Sequence, residues 1–230
     1  MSIRPLKEYK KKERQVPYPI PCFTDRPFLW CIIARTASGK SVLISNLLRR
    51  PEFYYKKFNK VYMATSNIDD EGEITDKAYE LIQFDKNNVF DEFNGEVFQN
   101  IKKDILEDED WRNKNYLLVI DDLPYSLRNP LVGKILIKHR HINLSIIITS
   151  QKTNIIAPVI RSNLTHISIY KSMNKDEIED LNATVDIDKK EFKSLLDYAT
   201  KDPYNFLFID VLKPRFYKNF DEELILTNDK

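Results

Sequence analysis

Five strand-like stretches, led by the continuous apolar run "FLWCIIA", set the strongest limit on what this chain can fold into. They are "FLWCIIA" (28–34), "KVYMATS" (60–66), "YLLVIDD" (116–122), "LSIIITSQ" (144–151) and "LTHISIYK" (164–171). A strand with one wet face alternates apolar and polar residues; a continuous apolar run marks a strand covered on both faces. "YNFLFIDVL" (204–212) adds a late strand. Between these runs, residues 41–50, 72–84, 95–110, 130–141, 175–183 and 189–199 carry apolar residues at helical spacing. Buried strands alternating with helices predict an α/β fold, with a mostly parallel central sheet flanked by helices and right-handed crossovers.

The expected organisation is one domain over residues 28–212. A Lys- and Pro-rich arm (1–27) precedes it, and a polar tail (213–230) follows. A chain of 230 residues buries roughly 70% of its unfolded surface and needs no disulfide staples. Cys31 sits inside an apolar run and is expected to be a buried thiol; with Cys22 the only other cysteine, a reducing setting is expected. No apolar run approaches the ~20 residues that span a bilayer. The N-terminal stretch has charges but no apolar core of a secretory signal. The net charge of +1 argues against a uniformly basic nucleic-acid binder, so any polyanion contact needs a local patch.

The loop between the first strand and its helix reads "ARTASGKS". A loop ending in Gly-Lys-Ser, entered from a buried strand and opening a helix, is how a protein cradles phosphates. Backbone N–H groups of Ala34, Arg35, Thr36, Ala37, Ser38, Gly39 and the start of the helix, through Val42, would face the anion. Lys40 would reach the β- and γ-phosphates of ATP, and Ser41 would ligate Mg²⁺. Ala34 and Ala37 stand where glycine is frequent. Alanine with positive φ costs on the order of 1 kcal/mol, which predicts negative φ at both and leaves the unusual conformation to Gly39. An ordinary strand–turn–helix is the plainer alternative for the loop alone.

Two later strands end in groups that suit hydrolysis. "LLVIDD" places Asp121 at the strand's C-terminal end, where open α/β sheets bind ligands. Asp121 would hold Mg²⁺, and Asp122 would polarise the attacking water. "IIITSQ" brings Gln151 to the same edge, where it could sense the γ-phosphate or orient that water. Each stretch alone is a common strand end; in this order after Lys40 they support one another. His139, His141 and His166 lack cysteine neighbours and are expected to be ordinary side chains rather than a metal site.

"ARTASGKS", "LLVIDD", "KHRHINLSIIITSQ" and "PVIRSNLTHISIY" together resemble a P-loop NTPase with ASCE-type strand order, one extra strand lying between the loop strand and the acidic strand. The resemblance spans roughly residues 28–212. It is strongest to the FtsK–HerA superfamily, and within it to the genome-packaging ATPases of large double-stranded DNA viruses and virophages, the poxvirus type included. The double aspartate, where many ATPases have Asp-Glu, fits that branch; the two loop alanines depart from it.

That resemblance implies an ATP-hydrolysing translocase that packages double-stranded DNA into a preformed capsid. It implies a pentameric or hexameric homo-oligomeric ring, a capsid vertex or portal partner, and action in the host cytoplasm or viral factory. It also implies an arginine supplied in trans, for which Arg140 and Arg161 match and Arg140 is preferred. Lys134, Lys138 and the arm's Lys10, Lys11 and Lys12 are candidate contacts to DNA phosphates, a grip without sequence specificity. Two other readings stay open: a P-loop kinase with an acceptor pocket, and a non-enzymatic ATP-gated capsid-binding module.

Overall fold

In the computed structural model, residues 2–5, 26–82, 84–171, 181, 184–185 and 187–227 are described. The apolar runs become strands β2 (Leu29–Ile33), β3 (Lys60–Thr65), β5 (Tyr116–Asp121), β6 (Leu144–Ser150), β7 (His166–Tyr170) and β8 (Phe206–Asp210). Short strands β1 (Ser2–Pro5), β4 (Val89–Phe90), β9 (Arg215–Lys218) and β10 (Glu222–Thr227) complete one sheet. Its order is β1-β10-β9-β8-β7-β2-β6-β5-β3-β4. From β7 to β4 every pairing is parallel; from β7 through β8, β9 and β10 to β1 every pairing is antiparallel. β6 therefore lies between β2 and the acidic β5, as expected.

Burial on both faces explains the apolar runs. Phe28, Trp30 and Ile32 pack with Leu43, Ile44 and Leu47 of helix α1 (Lys40–Arg49). The alternate residues Leu29, Cys31 and Ile33 face the opposite layer. That layer contains α2 (Gly95–Glu107), α3 (Pro124–Arg128), α4 (Pro130–Leu136), α5 (Pro158–Arg161) and α6 (Lys189–Ala199). Side-chain caps fix three of these starts: Asn94 accepts from Glu96 and Val97, Asn129 from Leu131, and Asp188 from Lys190 and Glu191. Burial pushes the Cys31 thiol far above its ordinary pKa, as for an inert core side chain.

Several expectations are corrected. Residues 213–227 are not a polar tail: they form β9 and β10, and bury Phe216, Tyr217, Phe220 and Leu224. The charges there lie on the strands' other positions, where Arg215 makes a two-pronged pair with Glu223 at 2.7 Å. Residues 2–5 are likewise a sheet strand, not part of an arm, and 6–25 lie outside the described residues.

Residues 72–84 do not form a helix. Ile74, Tyr79, Ile82 and Phe84 all pack toward the α1 side, yet 100° per residue would scatter them around a helix. Only a 3-10 turn forms, Lys77–Tyr79, capped by Asp76. The helix expected over 130–141 stops at Leu136 and gives way to a 3-10 turn, His139–Ile142, closed by Asn143 at φ 50. The helix expected over 175–183 falls outside the described residues except Leu181. Among the described residues no helix is long and apolar enough to cross a membrane.

Candidate active site

Parallel strands deliver their C-terminal ends to one edge. Register puts Ile33 opposite Ser150 and Thr65 opposite Asp121, and the Ala34 amide donates to the Ser150 carbonyl at 3.0 Å. The loop, the acidic pair and the Thr149–Gln151 segment therefore meet at this edge. A cleft of about 430 Å³ opens there, lined by Thr36, Ala37, Lys40, Ser41, Asp121 and Asp122 among others.

Gly39 (φ 93) turns the loop into α1, and its carbonyl receives the Leu43 amide at 2.9 Å. Lys40 Nζ donates to the carbonyls of Ala34 (3.0 Å) and Arg35 (3.1 Å). Burial lowers the Lys40 pKa, and the charges of Asp122, Asp121 and Asp76 oppose that shift. The ammonium thus satisfies loop carbonyls beside three carboxylates. Ser38 closes the loop turn by donating its amide to Arg35. Val42 is exposed at the mouth of the cleft.

One loop expectation fails. Ala34 avoids positive φ, but Ala37 has φ 61 and shares the left-handed region with Gly39. The loop needs two such residues to turn back over Lys40. The cost of a Cβ in that region, of order 1 kcal/mol, is small against the stability of a domain this size.

Asp121 is buried, and both its oxygens are held. Thr149 Oγ1 donates to Oδ1 at 2.6 Å, and the Tyr79 hydroxyl donates to Oδ2 at 3.0 Å. Burial raises its pKa, while those two hydrogen bonds and Lys40 pull it down. Asp122 has φ 54, a conformation aspartate tolerates. That turn aims two consecutive acids at one site. Its amide donates to Thr149 Oγ1 at 3.0 Å, so one hydroxyl fixes both acids. Gln151 Nε2 donates to Asp122 Oδ1 at 3.2 Å. Asp122 stands between the main cleft and a smaller cavity of about 120 Å³ that Gln151 lines.

Sequence reading missed Tyr79. It is 2% exposed, and its hydroxyl meets both Ser41 and Asp121. Its segment resembled an ordinary amphipathic helix, so no signal marked it. Thr149 likewise carries no local signal that assigns it a role.

The donor set fits Mg²⁺. Ser41 offers a hydroxyl and Asp121 a buried carboxylate, and both converge on the Tyr79 hydroxyl. Among the described residues no three His, Cys, Asp or Glu gather into a metal cage. Mg²⁺ in nucleotide sites takes few protein ligands beside phosphates and water, so one hydroxyl and one carboxylate suffice.

The remaining candidates lie elsewhere. Arg140 is exposed on the turn leading into β6, at the edge where strands begin, and half-buried Arg161 ends α5 just before β7. Neither lines this chain's own cleft. Lys134 and Lys138 are exposed on and just after α4; Lys10, Lys11 and Lys12 lie outside the described residues. His139 Nδ1–H donates to the Leu144 carbonyl at 2.6 Å, and His166 stacks on Phe208. Burial pushes the pKa of each down to about 4.

The strand order, the loop and the acidic strand end together define a P-loop ATPase fold of the FtsK–HerA type. Residues 22–205 match the family model described as Poxvirus A32 protein. The chain belongs to that family, whose type is the viral genome-packaging ATPase.

Solved structures agree on the fold. B204, the DNA-packaging ATPase from Sulfolobus turreted icosahedral virus, superposes with a TM-score of 0.63 at 19% identity, covering 85% of this chain and 98% of that one. The genome-packaging NTPase B204 from Sulfolobus turreted icosahedral virus 2, in complex with AMPPCP, gives 0.62 at 18% identity over 84% and 97%. The pCW3 conjugation coupling protein TcpA gives 0.51 at 14% identity over 79% and 57%. No curated protein matches the sequence.

Proposed function

We propose that the protein is a Mg²⁺-dependent ATPase that drives double-stranded DNA into a preformed viral capsid. The observation that carries this reading is the meeting of Lys40, Asp121, Asp122 and Gln151 at one sheet edge. Packaging by the similar B204 ATPase supports the substrate.

The chain's own groups divide the work. Incoming phosphates draw Lys40 from the Ala34 and Arg35 carbonyls, exchanging neutral acceptors for charged ones. Loop amides and the α1 N-terminus bind the remaining phosphate oxygens. Ser41 and Asp121 would hold Mg²⁺, which would supply neutralisation of the charge that develops during phosphoryl transfer. Asp122 orients and polarises the attacking water. Gln151 leaves Asp122 to contact that water or the γ-phosphate, linking nucleotide state to the β6–β7 connection. An acceptor-dependent kinase needs no such water-directed pair.

In a homo-oligomeric ring, Arg140 or Arg161 would reach a neighbour's cleft as the trans arginine. Lys134, Lys138 and Lys10–Lys12 would grip DNA phosphates. The ring would dock on a capsid vertex in the infected cell's cytoplasm or viral factory.

The test is ATP turnover by the purified full chain with and without linear double-stranded DNA. Stimulation by DNA, abolished in Lys40→Ala, is expected. Turnover indifferent to DNA but dependent on a phosphate acceptor would replace the motor with a kinase. No turnover even with DNA would leave the non-enzymatic module.

A further inference from the structure

The flank of the cleft away from the acids carries an aromatic side chain in an unusual state. Tyr204 is 72% exposed with φ 64. It is the one aromatic residue with positive φ among the described residues. A bulky residue in that region is a genuine outlier, and such outliers cluster at ligand sites. Its ring stands over the loop: a methyl group placed on Gly39 would lie 3.5 Å from Tyr204 Cδ1. Tyr204 lines the same cleft as Lys40, Ser41 and Asp121.

The conformation is braced from outside the turn. Asn219, beyond the end of β9, donates its amide to the Phe206 carbonyl and its side chain to Asn205 Oδ1, and accepts from the Phe206 amide. Lys218 pairs with Asp202 at 3.6 Å. The turn is therefore clamped on both sides of Tyr204.

Strand order gives the ring's position a meaning. β5 lies two strands from β2 through β6, and β8 lies two strands from β2 on the other side, through β7. Because β8 is antiparallel to β7, its start, just after Tyr204, lies at the edge where the parallel strands end. Asp121 and Tyr204 thus flank the loop from opposite sides. A nucleotide whose γ-phosphate points to Asp122 and Gln151 must send its base toward Tyr204. Val42, 54% exposed on the first turn of α1, offers a second apolar surface in that cleft.

We propose that Tyr204, with Val42, forms the base subsite, the Tyr204 ring stacking on the purine of the bound nucleotide. This rests on reading the loop as a nucleotide site. Aromatic stacking uses the π-face present on every base, so it retains the nucleotide without relying on hydrogen bonds to the base edge.

The test is calorimetric titration of the full chain with two Mg²⁺-bound ligands, AMPPCP and inorganic tripolyphosphate, which has no base. Tyr204→Gly removes the ring and accepts the left-handed backbone without strain; Tyr204→Phe keeps the ring. Tyr204→Gly is expected to weaken AMPPCP roughly 5- to 100-fold and to leave tripolyphosphate unchanged. Tyr204→Phe is expected to match the wild type with both. AMPPCP binding undiminished in Tyr204→Gly overturns the proposal while leaving the nucleotide site intact. Equal loss of both ligands also overturns it, since the ring would then act on the loop through Gly39. If the wild type binds neither ligand, the nucleotide-site reading has failed and the base subsite falls with it.

Discussion

The Tyr79 hydroxyl donates to Asp121 Oδ2 at 3.0 Å and also meets Ser41, so one phenol joins the two groups that would hold Mg²⁺. That bond favours the Asp121 carboxylate over its acid. Tyr79→Phe removes it, so Asp121 should take up a proton at higher pH. The acidic limb of the ATPase pH profile should move upward, with the neutral-pH rate falling less than at pH 5. A profile that only scales, with its acidic limb unmoved, would show that Tyr79 does not act through Asp121.

Asp121 also sets a stability cost. Burial raises its pKa above that of the unfolded chain, so the native state binds this proton more tightly. Stability therefore falls as pH rises from the ordinary carboxylate range through the raised value. Asp121→Asn keeps the shape, can pair with Thr149 and Tyr79, and carries no charge to bury. At pH 7.5 the nucleotide-free variant should melt higher than the wild type while losing turnover, a trade expected of a site built for function. A lower melting point would mean that Lys40 and the hydrogen bonds outweigh burial.

Ala37 holds a conformation better suited to glycine, with φ 61. Ala37→Gly should relieve it, for a net gain of about 0.5–1 kcal/mol after the extra freedom of the unfolded glycine. Thermal denaturation should show a rise of roughly 1–4 °C. Nucleotide affinity should be retained, because the residue contributes its backbone only.

Gly133 of α4 has no room for a side chain. A Cβ there would overlap Val159 Cγ1 and come within 3.2 Å of Ile160 Cγ1, where α5 crosses. Gly133→Ala gains about 1 kcal/mol of helix propensity. Overpacking costs about 1–3 kcal/mol, and Val159, branched at Cβ, has little rotamer freedom with which to yield. The net expectation is destabilisation, read as a lower urea midpoint with an unchanged slope.

The strands and the three site segments were legible because their signals are local. A strand buried on both faces must be apolar, and a phosphate loop must end near Gly39, Lys40 and Ser41. The features that escaped depend on tertiary partners. Tyr79 is defined by Asp121, 42 positions away, and nothing nearby in sequence marks it. β9 and β10 look polar because Arg215, Lys218, Glu222 and Glu223 flank Phe216, Tyr217 and Leu224, and only docking of β9 onto β8 and of β10 onto β9 shows that these apolar residues are covered. Ala37 departs from its local steric preference because the fold readily overrides about 1 kcal/mol.

The central claim is that Asp122 serves hydrolysis rather than binding or folding. Its most direct measurement is one Asp122→Asn preparation assayed for both ATP binding and single-turnover cleavage. ATP affinity should stay near the wild-type value, while cleavage falls by roughly 10²–10⁴-fold, the range of a lost acid–base group. Cleavage within a few-fold of wild type, with ATP bound, would contradict the account.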